Sequence, residues 1–362
     1  MSGRRARSIG SLALACAALG ACSGPGGRSP TTAARAAELT RAGDVVAMSA
    51  RADARTGVIS AEAWSFEGIP GQKLTTPSFE LYTTIKSSLL LDRLPAFLEH
   101  ALNHYTRAIV PLPDPAKRLE TFVVATRPQW TRVTRRLMGA DAAVYLRITR
   151  GGFAAKSRGV YYDIGSDETL AVAAHEGWHQ YTQSTFNDPL PVWLEEGVAT
   201  WMEGFKWDGP ARPLPLFNPW ENPERYRVLR RVAIDGGVMR LDHLLSVRPQ
   251  DEIATSNDRA LRYYAQVWAF THFLYEGEAG RYRPALQRML TDAATGDLYD
   301  TVRARLGERP ARDARVRRVG PAVLAAYLPD VRMADLDRQY QSFVRRVAHP
   351  SAILDRDAAS IP

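Results

Sequence analysis

The pattern of apolar residues changes near residue 167, and this change constrains the fold of the 362-residue chain more than any other feature. Residues 79–85 alternate between apolar and polar, as half-buried strands do, and residues 94–105 repeat with the period of an amphipathic helix. Further strand patterns cover residues 121–126, 144–149 and 159–164, with a short helix at 129–138 between them. After residue 167 only helical patterns follow, at residues 169–183, 192–205, 223–234, 259–275, 281–291 and 333–347. The sequence therefore predicts an α+β fold, in which a mixed β-sheet half precedes a mostly α-helical half.

Composition and charge narrow the class of protein. Hydrophobic residues make up 45% of the chain and charged residues 24%, which is typical of a globular protein and excludes a disordered, collagen-like or coiled-coil chain. The formal net charge is +8, and it becomes +5 without the three arginines of the first 21 residues. The cations are mostly arginines and form no basic run, so we expect no nucleic-acid partner.

An export signal is predicted at the N-terminus. Residues 1–8 carry three arginines and no acidic residue, and residues 9–19 are apolar and small. The segment ends in Leu-Gly-Ala-Cys22, which resembles the lipobox of bacterial lipoproteins, in which the cysteine becomes the acylated N-terminus. This resemblance implies a protein of the bacterial cell envelope, anchored to the membrane through lipidated Cys22, at the outer membrane if the host has one. A plain secretory signal with a chance cysteine is the alternative.

One short run of residues has the spacing of a metal site. Residues 175–179 read His-Glu-Gly-Trp-His and lie inside a predicted helix. Residues four apart share one face of a helix, so both imidazoles can reach one Zn²⁺, with the carboxylate of Glu176 beside the water that the metal activates. A catalytic zinc site needs a third protein ligand, and the next predicted helix offers Glu195 and Glu196. Two surface histidines on an amphipathic helix, next to an ordinary acidic helix start, are the alternative.

Two blocks of sequence together resemble a known family. Residues 175–180 read His-Glu-Gly-Trp-His-Gln, and residues 193–199 read Trp-Leu-Glu-Glu-Gly-Val-Ala. They resemble the gluzincin zinc metallopeptidases, and most of all the bacterial proteins of the peptidase MA-like superfamily. The resemblance implies a zincin-like fold and Zn²⁺ held by His175, His179 and Glu196, since the family's third ligand is the Glu that precedes Gly. Glu195 remains the alternative ligand.

A third block of sequence extends the resemblance. Residues 264–274 resemble the helix on which gluzincin aminopeptidases carry a Tyr that stabilises the transition state, and Tyr264 falls on that position. Glu176 would accept a proton from water, and Tyr264 would donate a hydrogen bond to the oxyanion. A core aromatic is the alternative for Tyr264, and the rival donors are Tyr263, His272 and His243.

Three further predictions concern the surroundings of the site. Thr200 and Glu203 follow Glu196 by one and two helical turns and could orient the histidines, with a solvated or packing residue as the alternative for each. The resemblance places at residues 151–155 the sheet edge that binds substrate as an added strand, with a simple hairpin connection as the alternative. The aminopeptidase block Gly-x-Met-Glu-Asn is missing from the sequence, which favours an endopeptidase.

The sequence predicts five segments: a signal peptide at 1–21, a flexible tether at 22–40, the sheet half at 41–166, metal-site helices at 167–295 and a helical cap at 296–362. The expected function is a zinc-dependent metallopeptidase, lipid-anchored at the bacterial envelope, with a peptide or protein as substrate. The first alternative is a non-catalytic, zinc-containing envelope lipoprotein that binds peptide or polysaccharide. A structural envelope lipoprotein with a chance motif is the second.

Overall fold

The computed structural model describes residues 57–86, 88–209 and 214–348. Within this part of the chain, a six-stranded mixed sheet occupies the first half, and helices make up nearly all of the second half. The predicted order of a mixed sheet followed by helices is therefore confirmed. The predicted signal peptide, the tether with Cys22 and the start of the predicted sheet half lie outside the described residues.

The sheet combines a parallel centre with antiparallel flanks. Its strands are β1 (Ser60–Phe66), β2 (Ile69–Thr75), β3 (Phe79–Thr83), β4 (Leu119–Val124), β5 (Gly152–Ala155) and β6 (Arg158–Tyr162). They lie side by side in the order β1-β2-β3-β4-β6-β5. Strands β3, β4 and β6 are parallel, whereas β1, β2 and β5 pair with their neighbours in antiparallel fashion. Strand β5 therefore forms one edge of the sheet.

Helices cover the sheet and build the second half. The helices of the first half are α1 (Ser88–Tyr105), α2 (Arg127–Met138) and α3 (Ala142–Tyr145), with a 3₁₀ turn at Gly139–Asp141. The second half contains α4 (Ser166–Thr185), α5 (Val192–Met202), α6 (Pro223–Ile234), α7 (Leu241–Leu244), α8 (Pro249–Thr255), α9 (Asn257–Gly280), α10 (Arg283–Thr295), α11 (Leu298–Leu306), α12 (Glu308–Arg317), α13 (Ala322–Tyr327) and α14 (Met333–Ala348). A small hairpin of β7 (Phe205–Trp207) and β8 (Pro215–Phe217) lies between α5 and α6.

Two local predictions are wrong, and a third helix boundary differs from the predicted one. The segment at 144–149 is not a strand, because its apolar residues Tyr145 and Ile148 lie three positions apart and are both buried by a helical turn. The helix predicted at 192–205 ends at Met202, and the chain after it forms strand β7. Helix α1 also begins six residues before the predicted start at 94, so that Pro95 lies inside it.

Apolar side chains pack on both faces of the sheet. One face, with Phe122, Val124 and Val160, packs against α2 through Trp130. The other face carries Val123 and contributes to the large core that α1, α4, α5 and α9 share. Each sheet face is therefore buried, which fits the parallel central strands.

Helix α4 is fixed to the sheet by two glutamine side chains. The Gln180 amide nitrogen donates to the carbonyl of Glu120 in β4 at 2.7 Å and to that of Ser157 at 3.2 Å. The Gln183 amide nitrogen donates to the carbonyl of Ala154 in β5 at 3.1 Å. These bonds hold α4, which carries residues 175–179, in one position against the sheet.

Gly177 allows α1 to lie unusually close to α4. The hydroxyl of Tyr105 in α1 donates to the carbonyl of Ala174 at 2.7 Å. A Cβ atom at position 177 would lie 2.6 Å from the same hydroxyl oxygen, well inside van der Waals contact. The structure thus explains why a helix interior contains a glycine in spite of its poor helix propensity.

We expect Gly177→Ala to lower the free energy of unfolding by about 1–2 kcal/mol. The added methyl group displaces the Tyr105 hydroxyl, and this overpacking outweighs the gain in helix propensity of about 0.5–1 kcal/mol. In a Tyr105→Phe background the obstructing oxygen is gone, and Gly177→Ala should be neutral or stabilising. Chemical denaturation of the four proteins measures the coupling, and additive effects would contradict the proposed contact.

Candidate metal centre

Three buried side chains converge on one point between α4 and α5. The Nε2 atoms of His175 and His179 lie 3.2 Å apart, and Glu196 Oε2 lies 3.4 and 3.5 Å from them. The histidine side chains are 0% exposed and that of Glu196 is 1% exposed. Within the described residues, no other three His, Cys, Asp or Glu side chains bring their ligand atoms so close together. The group could hold a metal ion.

Glu196, and not Glu195, completes this group. Glu195 Oε1 lies 2.9 Å from His179 Nδ1, the ring nitrogen that faces away from the group. The same oxygen accepts a hydrogen bond from the Thr182 hydroxyl at 2.8 Å, and Arg318 lies 3.6 Å from the other oxygen. Glu195 therefore orients His179, which leaves Glu196 as the carboxylate that can bind a metal.

Glu203 has the same role for the other histidine. Its Oε1 lies 2.6 Å from His175 Nδ1, as the helical spacing predicted. For Thr200 the packing alternative holds, because its hydroxyl donates to the carbonyls of Glu196 at 2.8 Å and Gly197 at 2.9 Å, and no hydrogen bond joins it to a histidine. Each imidazole thus has a carboxylate at Nδ1, an arrangement that directs Nε2 towards the metal position.

Arg225 and Asn222 hold Glu203, and no motif in the sequence indicates either residue. Arg225 donates to Glu203 through Nε at 3.1 Å and through Nη2 at 2.9 Å. The amide nitrogen of Asn222 donates to Glu203 Oε2 at 2.8 Å. The Asn222-Pro223 pair is a helix-start signal, so the sequence could have located the beginning of α6 but not its contact with Glu203.

The carboxylate of Glu176 lies next to this group and makes no well-formed hydrogen bond with a described residue. Its side chain is fully buried, and the backbone N–H of Ala154 in β5 acts on it only as a weak donor. Burial raises the pKa of Glu176 to about 7, although the charges of His175 and His179 oppose the shift. A carboxylate with such a pKa can accept and release a proton near neutrality, as a general base must.

The charges of the other two carboxylates are stabilised. Burial alone would raise the pKa of Glu196, but the charge of His179 and the close contact of its Oε2 with both imidazoles outweigh burial and lower it to about 2. For Glu203, burial is outweighed by the charge of Arg225 and by His175, and its pKa is also about 2. Glu196 is therefore ionised over the whole physiological range, as a metal ligand must be.

Two tyrosines lie beside the group. The ring centroid of Tyr264 is 6.1 Å from that of His175, and the side chain is buried. The hydroxyl of Tyr263 is buried and has no hydrogen-bond partner among the described residues. The two rival histidines lie elsewhere: His272 stacks on Trp220 and bonds to Glu276, and His243 is exposed.

The predicted sheet edge at residues 151–155 is present as strand β5, which pairs only with β6. Its four residues are buried, and the carbonyl of Ala154 already accepts a hydrogen bond from Gln183. A peptide added at this edge could not use that carbonyl while the Gln183 bond persists.

No protein-family model, curated protein or solved structure matches the chain. A search of the described residues finds no helix long and apolar enough to cross a membrane. Any functional argument therefore depends on the site itself.

The two neighbouring glutamates provide a matched test of the metal centre. We expect Glu196→Gln to weaken Zn²⁺ binding far more than Glu195→Gln, because only Glu196 contributes a ligand atom. Loss of an orienting carboxylate weakens metal binding by about 10–100-fold, so Glu195→Gln and Glu203→Gln should fall in this range. Competition with a chromogenic chelator measures the affinities, and a larger loss for Glu195→Gln than for Glu196→Gln would refute the assignment.

Proposed function

We propose that the chain is a zinc-dependent metallopeptidase of the gluzincin type with a zincin-like fold. The observation that supports this proposal is the buried group of His175, His179 and Glu196, with the carboxylate of Glu176, which makes no well-formed hydrogen bond, beside it. A metal ligand set and an adjacent general base are the two parts that hydrolysis by activated water requires.

The donor set fits zinc. Ligand atoms about 2.0–2.1 Å from a tetrahedral Zn²⁺ lie about 3.3 Å from one another. The three distances between the ligand atoms here are 3.2, 3.4 and 3.5 Å. Glu196 Oε2 is buried and has no hydrogen-bond partner among the described residues, which a bound cation would explain. Two imidazoles and one carboxylate also form the ligand set of known catalytic zinc sites, which leaves a fourth position for water or substrate.

Zinc bound there would polarise a peptide carbonyl and make water more acidic. Glu176 would accept the proton of the attacking water and pass it to the leaving amine nitrogen. Tyr264 would donate a hydrogen bond to the carbonyl oxygen as negative charge develops on it. Glu195 and Glu203 would keep both imidazoles in the tautomer that carries the proton on Nδ1.

The envelope location rests on the N-terminal sequence. The arginine-containing start, the short apolar segment and the Leu-Gly-Ala-Cys22 tetrad have the order of a lipoprotein signal. We therefore include in the proposal a lipid anchor at Cys22, which would hold the peptidase at the bacterial envelope.

The complete burial of the site favours a second candidate function. Glu176 and both histidines are 0% exposed, so a substrate cannot reach them without a movement of neighbouring residues. This observation fits a non-catalytic envelope protein that retains zinc for folding and binds peptide or polysaccharide elsewhere.

Two substitutions test the peptidase in one assay. Zinc-loaded protein is incubated with a proteome-derived peptide library, and cleavage sites are read by mass spectrometry. We expect internal cuts whose rate falls by about 10²–10⁴-fold in Glu176→Gln and by about 10²–10³-fold in Tyr264→Phe. Tyr263→Phe is the matched control and should change the rate much less.

The zinc content of every variant is measured in parallel, so that a lost metal is not mistaken for a lost general base. Stoichiometric zinc without any Glu176-dependent cut would overturn the peptidase and favour the binding protein.

For the anchor, we expect Cys22→Ala to move the protein from the membrane fraction to the soluble fraction, because the acylated residue is gone. Cell fractionation and mass spectrometry of the N-terminal peptide measure the change. An unchanged membrane fraction with no lipid on the parent would rule out the anchor.

A further inference from the structure

The buried polar groups around the metal centre include four that make no well-formed hydrogen bond with a described residue. They are the carboxylate of Glu176, Oε2 of Glu196, the hydroxyl of Tyr263 and Nη1 of Arg225. The proposed function uses the first two. Arg225 Nη1 is the strongest donor of the remaining pair, because it carries two N–H groups on a charged guanidinium.

Arg225 is held rigidly next to the site. Its side chain is 4% exposed, and Nε and Nη2 both bond to Glu203, the carboxylate behind His175. Its Cζ atom lies 5.3 Å from the ring centroid of Tyr264, which in turn packs against His175. The guanidinium is thus fixed on two sides, and only Nη1 remains for another acceptor.

A buried donor without a partner costs about 1–3 kcal/mol, so Nη1 needs an acceptor, which a bound ligand or a water molecule can supply. The planar guanidinium suits carboxylate oxygens, and a hydrogen bond between two charged groups is about twice as strong as one between neutral groups. The N–H groups of Nη1 therefore fit a carboxylate of a bound molecule.

Neighbouring charges favour an anion as well. Arg150 precedes strand β5 and Arg227 follows Arg225 in α6, and neither forms an ion pair with a described residue. Both arginines act electrostatically on Glu224, together with Arg225. These three arginines act against two carboxylates, Glu224 and Glu203, so positive charge is in local excess and favours an anion.

We propose that Arg225 is a substrate-binding residue that donates hydrogen bonds from Nη1 to a carboxylate of the substrate. The preferred peptides then carry a C-terminal carboxylate or an acidic side chain close to the scissile bond. This inference rests on the proposed function, because it assigns a substrate class to the same site.

Binding is measured by calorimetry on the zinc-loaded, full-length Glu176→Gln protein, which cannot turn the probe over. The probes are N-acetyl-tetraalanine with a free C-terminal carboxylate, its C-terminal amide, and two amides in which one alanine is replaced by Glu or by Gln. We expect a carboxylate probe to bind at least tenfold more tightly than its neutral counterpart. The pair that shows the difference identifies the source of the carboxylate.

Replacing Arg225 by Gln in the same protein should reduce the ratio of the two affinities, carboxylate probe over neutral probe, to near one while zinc remains bound. Asn222→Ser is the matched control: it removes another donor to Glu203, keeps a residue that can cap α6, and should preserve the ratio. If Arg225→Gln fails to fold because Glu203 is left without its partner, Arg225→Lys and the double variant Glu203→Gln/Arg225→Gln provide the comparison.

A ratio near one in the Glu176→Gln protein, or a ratio that survives loss of Arg225, would overturn the inference. A preference that persists without Arg225 would mean that the metal or another group binds the carboxylate. The two proposals fail separately: cleavage by the parent without carboxylate preference removes only the inference. An Arg225-dependent preference without any cleavage removes only the peptidase.

Discussion

Buried charges need partners, and the centre of this protein depends on that requirement. His175, Glu196, Glu203 and Arg225 meet between three helices, and each interacts with at least one of the others. Removing one member of a buried pair costs about 3–5 kcal/mol, because the remaining charge has no compensation. Arg225 cannot bind a metal, yet the position of His175 depends on it through Glu203. The geometry of the metal group is therefore a property of the whole network.

Close approach of helices makes this network possible. A Cβ atom at Gly177 would collide with Tyr105, and one at Gly197 would lie 2.5 Å from the Thr271 hydroxyl of α9. Glycines at these positions let α1 pack against α4 and let α9 pack against α5. The second contact brings the helix that carries Tyr264 towards the helix that carries Glu196. Small residues at helix crossings thus determine where the large functional side chains meet.

The sequence predicted the parts of the site that depend on spacing within one helix. His175 and His179 share a face because they are four residues apart, and Glu203 reaches His175 from the end of α5, as its helical spacing suggested. The choice between Glu195 and Glu196 depends on how α5 is rotated against α4, which spacing leaves open. Arg225 lies in a separate helix whose contact with Glu203 is purely tertiary. The same distinction explains why residues 144–149 form a helical turn and not the predicted strand: a short apolar run fits either structure, and its tertiary neighbours decide between them.

The hydrogen bond from Gln183 to Ala154 also affects whether the sheet edge at β5 can pair with another chain. An edge strand with unpaired backbone groups can pair with the edge of another chain and start aggregation. In β5 the Gln183 side chain of α4 donates a hydrogen bond to one of these groups, the carbonyl of Ala154. All four residues of β5 are also buried, so the strand is not accessible to other chains. The contact that fixes α4 thus also protects this edge of the sheet from pairing with other chains.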